Sequence, residues 1–444
     1  MTMHGIRCAF LSCLSVLAVF FVCGELRAQQ KMNGTDMEHA RGILRDARDA
    51  VKKHYYLTDY HGLDLDARYQ QYDDRVKNAR SLGEAFRAIA AFLGGLKDSH
   101  TYFIPPMRSS RTDCGFRIQL FGNDAFITQV RPGSDAESKV HPGDQVVHYD
   151  TFSVNRTDYR DLFYTFNTLA PQPATQLDLR DPSGTVRQSL VNSRVQTGRK
   201  VLDFTFSDDG NDVWQYIREE ENQDHVVRQR YVEMEDAMIW KMPEFLLRDD
   251  EVDHLFSIVR KHKALILDLR GDPGGAVDTL ERMVGNVFDH DVKISDRVGR
   301  KEMKPQLAKT IGDHAFTGKI VVLVDSQSAS AAELFARVMQ LEHRGTVLGD
   351  RSSGSVMEAR EYSYSQGADT QFYYGFSVTD ADLVMSDGKS LEHVGVTPDE
   401  IILPTAQDLA ARRDPVLARA AELAGAKLDP SQAAKMFPFE WLPF

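Results

Sequence analysis

Cysteine is scarce in this 444-residue chain. Three of its four cysteines (Cys8, Cys13 and Cys23) fall in the first 28 residues, which leaves Cys114 alone in the remainder. One thiol cannot form an internal disulfide, so the body of the protein must be held together by packing. Apolar runs long enough for a bilayer are also lacking. The stretch from Cys8 to Cys23 falls short of the ~20 residues a span needs, and no later stretch reaches that length. Positive charge is in deficit, with 53 Lys and Arg against 65 Asp and Glu and a net charge of −12. That balance argues against a nucleic-acid partner. No His-Glu-x-x-His, Cys-rich spacing or Gly-x-x-x-x-Gly-Lys loop occurs, so no metal and no nucleotide cofactor is expected. Heptads and internal repeats are missing as well, which excludes a coiled coil or a solenoid. The 24 Phe and 15 Tyr exclude a disordered chain. At this length, two or three domains are expected.

The first 28 residues have a composition of their own. Arg7 is followed by the apolar run and then by Leu26-Arg27-Ala28. Charged, apolar, small-residue is the order of a cleaved signal peptide. Export to a bacterial periplasm, or secretion, is the resulting expectation. A lipid anchor at Cys23 is the less favoured alternative, because Val22 before it is bulky.

Residues 29–108 read as a helical domain. Phe86, Ile89, Ala90 and Leu93 fall on one helical face, and Gly94-Gly95 can end that helix. Residues 109–198 change to short alternating runs, Phe116–Leu120, Ala125–Val130 and Gln145–Tyr149, separated by Gly and Asn turns. With Arg131-Pro132-Gly133-Ser134-Asp135-Ala136 and His141-Pro142-Gly143-Asp144, this segment resembles a PDZ domain. The resemblance implies that Gly115, Phe116, Arg117 and Ile118 hold a peptide as an added strand. A spacer without a ligand is the alternative.

Residues 199–405 alternate strand and helix. Ala264–Leu269 is a continuous apolar strand suited to a sheet covered on both faces. Helical spacing follows at Val277, Leu280, Val284 and Val287. A second strand comes at Ile320–Val324, a helix at Leu334–Leu341, and a third strand begins at Thr346. This is an open α/β layer. Residues 406–444 are expected to add one or two packing helices.

Chemistry in such sheets sits beyond the carboxyl ends of strands. Asp268-Leu269-Arg270-Gly271-Asp272-Pro273-Gly274-Gly275 follows the first strand, and its glycines can expose N–H groups to an anion. Asp325-Ser326-Gln327-Ser328-Ala329-Ser330-Ala331-Ala332-Glu333 follows the second. Ser330 can present a hydroxyl on that turn, with Ala331 N–H beside it. Equally, Ser328 or Ser330 can cap the helix.

Taken together, these two segments resemble the tail-specific (C-terminal processing) serine proteases. The helical start, the PDZ-like segment and Leu391-Glu392-His393-Val394-Gly395-Val396-Thr397-Pro398-Asp399 extend the resemblance over nearly the whole chain. It implies an α/β core of ClpP/crotonase type with an N-terminal helical domain and an inserted PDZ-like domain. The processing branch uses a Lys base, but Ser355 stands at that place here, after Gly354. The tricorn-core branch uses histidine, and Ser99-His100 stands where that branch has its Ser-His pair. The resemblance to that branch implies Ser330 as nucleophile, His100 as base, and Ser99 and Glu392 as orienting groups. Ala331 N–H and one amide of Gly274 or Gly275 would bind the oxyanion. The expected activity is an exported, cofactor-free serine endopeptidase acting on proteins or peptides, through their C-termini in one reading. The alternative is a non-catalytic ligand- or peptide-binding protein on the same scaffold, as the retinoid-binding proteins of the eye are.

Overall fold

The computed structural model describes residues 32–106, 110–197, 228–367 and 372–442. The expected signal segment lies outside them, and with it Cys23. The chain opens with three helices, α1 (Gly34–His54), α2 (Leu65–Lys77) and α3 (Leu82–Gly94). Each starts on a side-chain cap. Asn33, Asp64 and Ser81 accept from Asp36, Ala67 and Glu84 amides, which satisfies donors that the first helical turn leaves free. Their apolar faces, including Leu44, Val51, Ile89 and Leu93, pack with Phe103, Phe376 and Val378.

After β1 (Tyr102–Ile104) come β2 (Ser110–Asp113), β3 (Phe116–Phe121), β4 (Asp124–Val130), β5 (Gln145–Tyr149), β6 (Phe152–Ser153), α4 (Tyr159–Tyr164), β7 (Ala174–Arg180), β8 (Val186–Asn192) and β9 (Arg194–Thr197). The order β3-β4-β5-β7-β8, with β6 on β5, forms one sheet, and β2 pairs with β9 at the entrance and exit of the module. Among the described residues strand β3 pairs only with β4, so its other edge carries no described strand. The module has its own core around Ile127, Val146, Leu177 and Leu179.

The remaining elements are β10 (Arg230–Glu233), β11 (Ala237–Lys241), α5 (Asp249–Val259), β12 (Ala264–Asp268), α6 (Val277–Gly285), β13 (Val292–Val298), β14 (Gln306–Ala308), β15 (Lys319–Val324), α7 (Ala331–Leu341), β16 (Thr346–Gly349), β17 (Met357–Gln366), β18 (Phe372–Met385), β19 (Glu400–Ile401), α8 (Ala406–Ala410), α9 (Pro415–Leu423) and α10 (Pro430–Met436). Strands β10-β11-β12-β15-β16-β19 form the core sheet, parallel except for the β10–β11 pair. Period-two alternation splits its side chains between two layers. Met238, Trp240, Leu265 and Leu267 meet α5, α6 and α7 on one face. Ala237, Ile239, Ala264 and Ile266 meet Val416, Leu417 and Ala433 from α9 and α10 on the other. Burying side chains such as Trp240, Phe256 and Phe335 contributes about 1.5–3 kcal/mol each, which anchors the strand ends that carry the site.

Two features differ from the sequence-based expectation. The tail carries three short helices rather than one or two, because Pro415 and Pro430 each start a new helix behind an Asp cap. A second antiparallel sheet, β1-β18-β13-β14 with β17 on β18, joins the N-terminal helices to the core. Its long β17–β18 hairpin escaped the α/β reading because β17 is half-buried or solvent-facing beyond Met357 and β18 buries polar residues, Ser377 and Thr379, among its apolar ones.

Candidate active site

The loops after β12 and β15 meet at the carboxyl end of the core sheet. Asp325 ties them together, with one carboxylate oxygen accepting from the amides of Gly271, Gln327 and Ser328 at 2.9, 2.9 and 3.1 Å. Ser328 does not cap α7. Its hydroxyl donates to Leu269 O at 2.8 Å and receives Asp325 N at 2.9 Å.

Ser330 stands at the N-cap position of α7, but its hydroxyl makes no capping bond. Glu333 N donates to the Ser330 carbonyl instead, at 2.9 Å. The backbone there is left-handed, φ 54°, a strained conformation for a residue with a Cβ. The strain is held by two acceptors for Ser330 N–H, Ser355 O at 2.9 Å and Glu333 Oε2 at 3.0 Å. This turn leaves the Ser330 hydroxyl without a partner among the described residues.

Gly274 packs directly against it. A Cβ at Gly274 would come 2.7 Å from Ser330 Cβ, and its φ of +98° also demands glycine. Gly274 N–H is engaged by Asp272 Oδ1 at 2.7 Å, so it is not the free donor. Among the described residues the amides of Gly275 and Ala331 carry no hydrogen bond, and of the two glycines it is Gly275 that keeps a free N–H.

Ser99 and His100 arrive on the turn between α3 and β1. Asp98 Oδ1 shapes that turn by accepting from the amides of His100 and Thr101 at 3.0 and 2.7 Å. Ser99 Oγ lies 2.7 Å from His100 Nδ1 and donates to Glu392 Oε2 at 2.8 Å. Ser99 N–H donates to Glu392 Oε1 at 2.6 Å, and Val356 N–H to Oε2 at 2.9 Å. A hydroxyl has one hydrogen, and here it points at the carboxylate. Ser99 must therefore accept from His100, which places the imidazole proton on Nδ1 and leaves Nε2 basic. Burial lowers the His100 pKa to about 4, with help from the Arg160 charge and against the pull of Asp98. Burial raises that of Glu392.

Two further groups escaped the sequence reading. Arg160, on α4 of the inserted module, donates to Ser355 Oγ at 2.9 Å and to the Ser99 carbonyl. A guanidinium thus stands beside Ser355. Glu333 is buried beneath the Ser330 turn and accepts from Ser330, Gly354 and Ser355 amides and from Ser352 Oγ. Burial pushes its pKa up to about 7. The only hint to Glu333 in the sequence was its place three residues after Ser330; nothing local marked Arg160. Hydrogen bonds run from Ser330 through Ser355 and Arg160 to Ser99 and His100, so both halves of the molecule share one network. Among the described residues no cluster of His, Cys, Asp and Glu suited to a metal ion occurs.

Gly115, Phe116, Arg117 and Ile118 open strand β3. Phe116 and Ile118 turn inward to the module core, and Arg117 faces out. Any role for the first two in peptide capture would run through the backbone.

Residues 237–402 match Peptidase family S41. The chain is 24% identical over 388 residues to a probable CtpA-like serine protease of Staphylococcus haemolyticus, covering 83% of this chain and 68% of that one. It is 30% identical over 138 residues to the carboxy-terminal processing protease CtpA of Bacillus subtilis, covering 31% of this chain and 28% of that one. The match to a carboxy-terminal-processing protease of Bartonella bacilliformis likewise spans only 31% of that relative's length. The solved structure of mature CPAF shares the fold with a TM-score of 0.62 at 15% identity, over 84% of this chain and 94% of that one. By its core segment the chain is thus similar to peptidase family S41, and over longer stretches to CtpA-like and carboxy-terminal processing serine proteases.

Proposed function

We propose that this protein is an exported serine endopeptidase in which Ser330 attacks the peptide carbonyl and His100 is the general base. The observation that carries this reading is the chain Glu392–Ser99–His100, which fixes the imidazole tautomer with Nε2 basic. A neutral serine needs such a base. The Ser330 proton passes to His100 Nε2 as the Oγ–C bond forms, and the oxyanion is met by Ala331 and Gly275 N–H. His100 then protonates the leaving amine. Water, activated by the same imidazole, hydrolyses the acyl-enzyme. General-base help of this kind is worth roughly 10²–10⁴-fold and each oxyanion donor about 10²–10³-fold. Ser355 cannot replace the base near neutral pH, which favours the histidine branch of the family over the Ser–Lys branch.

The edge of β3 that carries no described strand supports capture of an extended peptide by strand addition. The names of the relatives, carboxy-terminal processing and tail-specific proteases, suggest substrate C-termini as the captured element. Export rests on the N-terminal sequence, and no described helix is long and apolar enough to cross a membrane.

A fluorophosphonate probe tests the assignment. Ser330 should be labelled in the wild-type chain, and Ser330→Ala and His100→Ala should lose both labelling and peptide hydrolysis while staying folded. Full hydrolysis by either variant would overturn it. No labelling in the wild type, with tight uptake of an apolar ligand, would favour the carrier alternative.

A further inference from the structure

Residues 437–442, Phe-Pro-Phe-Glu-Trp-Leu, follow α10 and bridge the core sheet to the inserted module. Two arginines at the start of β10 hold one end. Arg228 pairs with Glu440 at 2.8 Å, and Arg230 donates to Pro438 O at 2.9 Å. Two arginines of the module hold the other end. Arg117 lies 5.3 Å from the Phe439 ring centroid and Arg131 lies 4.5 Å from that of Trp441. Arg131 also donates to Leu442 O at 3.0 Å, and its own amide bonds Gly115 O, at the turn that opens β3.

The segment borders a large cavity, about 1610 Å³, between module and core. Its walls include Phe116 and Ile118 of β3, Tyr159 of α4, and Gly271, Pro273 and Gln327 of the two active-site loops. Small-molecule pockets usually measure ~300–1,000 Å³, so this space suits a length of polypeptide. It reaches from β3 to the loops that follow β12 and β15, with residues 437–442 along its wall.

Most of this segment is held by side-chain contacts at the surface rather than by a hydrophobic core. Phe437 packs beside the cluster formed with α9 and α10, but residues 438–442 join none of the four hydrophobic cores. Phe439 is 39% exposed. Polar and cation–π contacts hold it instead, including a two-bond fork from Arg228 to Glu440 at 2.8 and 2.9 Å. A segment needed only for packing would bury its aromatic rings. This one lays them against arginines on two separate bodies, where a competing peptide can replace them.

We propose that residues 437–442 are an intramolecular strap, an aromatic peptide segment resident at the substrate chamber that an incoming extended polypeptide must displace. The chemistry of the strap defines that of its competitor, an extended segment with alternating aromatic residues around an acid. The proposal rests on the reading of the chamber as a peptide site, and its test separates the two.

The test uses a fluorescein-labelled Phe-Pro-Phe-Glu-Trp-Leu peptide and fluorescence anisotropy, in a Ser330→Ala chain so that nothing is cleaved. Adding Phe439→Ala and Trp441→Ala should tighten binding about tenfold or more, because a tethered competitor acts at millimolar effective concentration. In the active chain the same pair should lower KM for an unfolded polypeptide and leave kcat unchanged. Equal peptide affinity with and without the strap aromatics, at equal thermal stability, would overturn the strap. If the double variant loses stability, Glu440→Arg, which opposes Arg228 and Arg230 without removing a ring, must shift affinity the same way, and no shift overturns the proposal. Tighter binding with no hydrolysis by any chain would keep the strap and overturn the protease reading.

Discussion

Replacing Arg160 separates its charge from its hydrogen bonds. In the folded chain His100 titrates at about 4 instead of 6.5, first through burial and second through the Arg160 charge. Since burial is the larger cause, removing the guanidinium should recover part of that depression and leave the burial effect in place. The acid limb of kcat/KM, expected near pH 4 for the wild type, should then move to higher pH in Arg160→Gln, toward but not reaching 6.5. Arg160→Lys keeps a positive charge and should leave the limb near pH 4. Both variants lose the forked contact to Ser355 Oγ and the Ser99 carbonyl, so both should lower the plateau. The pH–rate profiles of the three proteins decide the matter. An identical acid limb in Arg160→Gln and the wild type would refute the electrostatic reading. The same depression has a stability consequence. Below pH 6.5 the unfolded chain takes up a proton that folded His100 does not accept until about pH 4. The residue therefore costs stability as pH falls through that window, by up to about 3 kcal/mol at its lower end.

Gly274→Ala should lower hydrolysis on the order of 10²-fold or more and destabilise the fold by about 1–3 kcal/mol, since the new Cβ meets Ser330 Cβ at 2.7 Å in a left-handed backbone. Wild-type kinetics in that variant would remove Gly274 from the account of the site. Ser99→Ala should lower kcat by about 10²-fold with little change in KM, because the imidazole loses the group that sets its tautomer. Glu392→Gln, which keeps the shape but not the charge, should lower kcat in the same direction. An unchanged kcat in both would show that the imidazole needs neither partner.

Much of the architecture was legible in the sequence. The apolar run Ala264–Leu267 pointed to a strand buried on both faces, and the 3.6-residue spacing of Phe86, Ile89 and Leu93 to one buried side of a helix. The β17–β18 hairpin was not legible, because β17 is polar and half-buried or exposed beyond Met357 and β18 mixes Ser377, Thr379 and Asp380 into its apolar residues. The candidate site divides along the same line. Ser330, Ser99, His100 and Glu392 each stood in a recognisable segment. Arg160 and Glu333 did not, since neither their type nor their neighbours set them apart until folding gave them partners.

Local sequence determined which backbone could turn sharply, where helices start, and which residue types could move a proton. Tertiary packing decided that Ser99 and Glu392, 293 residues apart, share two hydrogen bonds, and that Arg160 reaches Ser355 across 195. Proton position and pKa depend on burial and on charges a few ångströms away, and those distances exist only once the helices, the module and the core sheet have closed on one another.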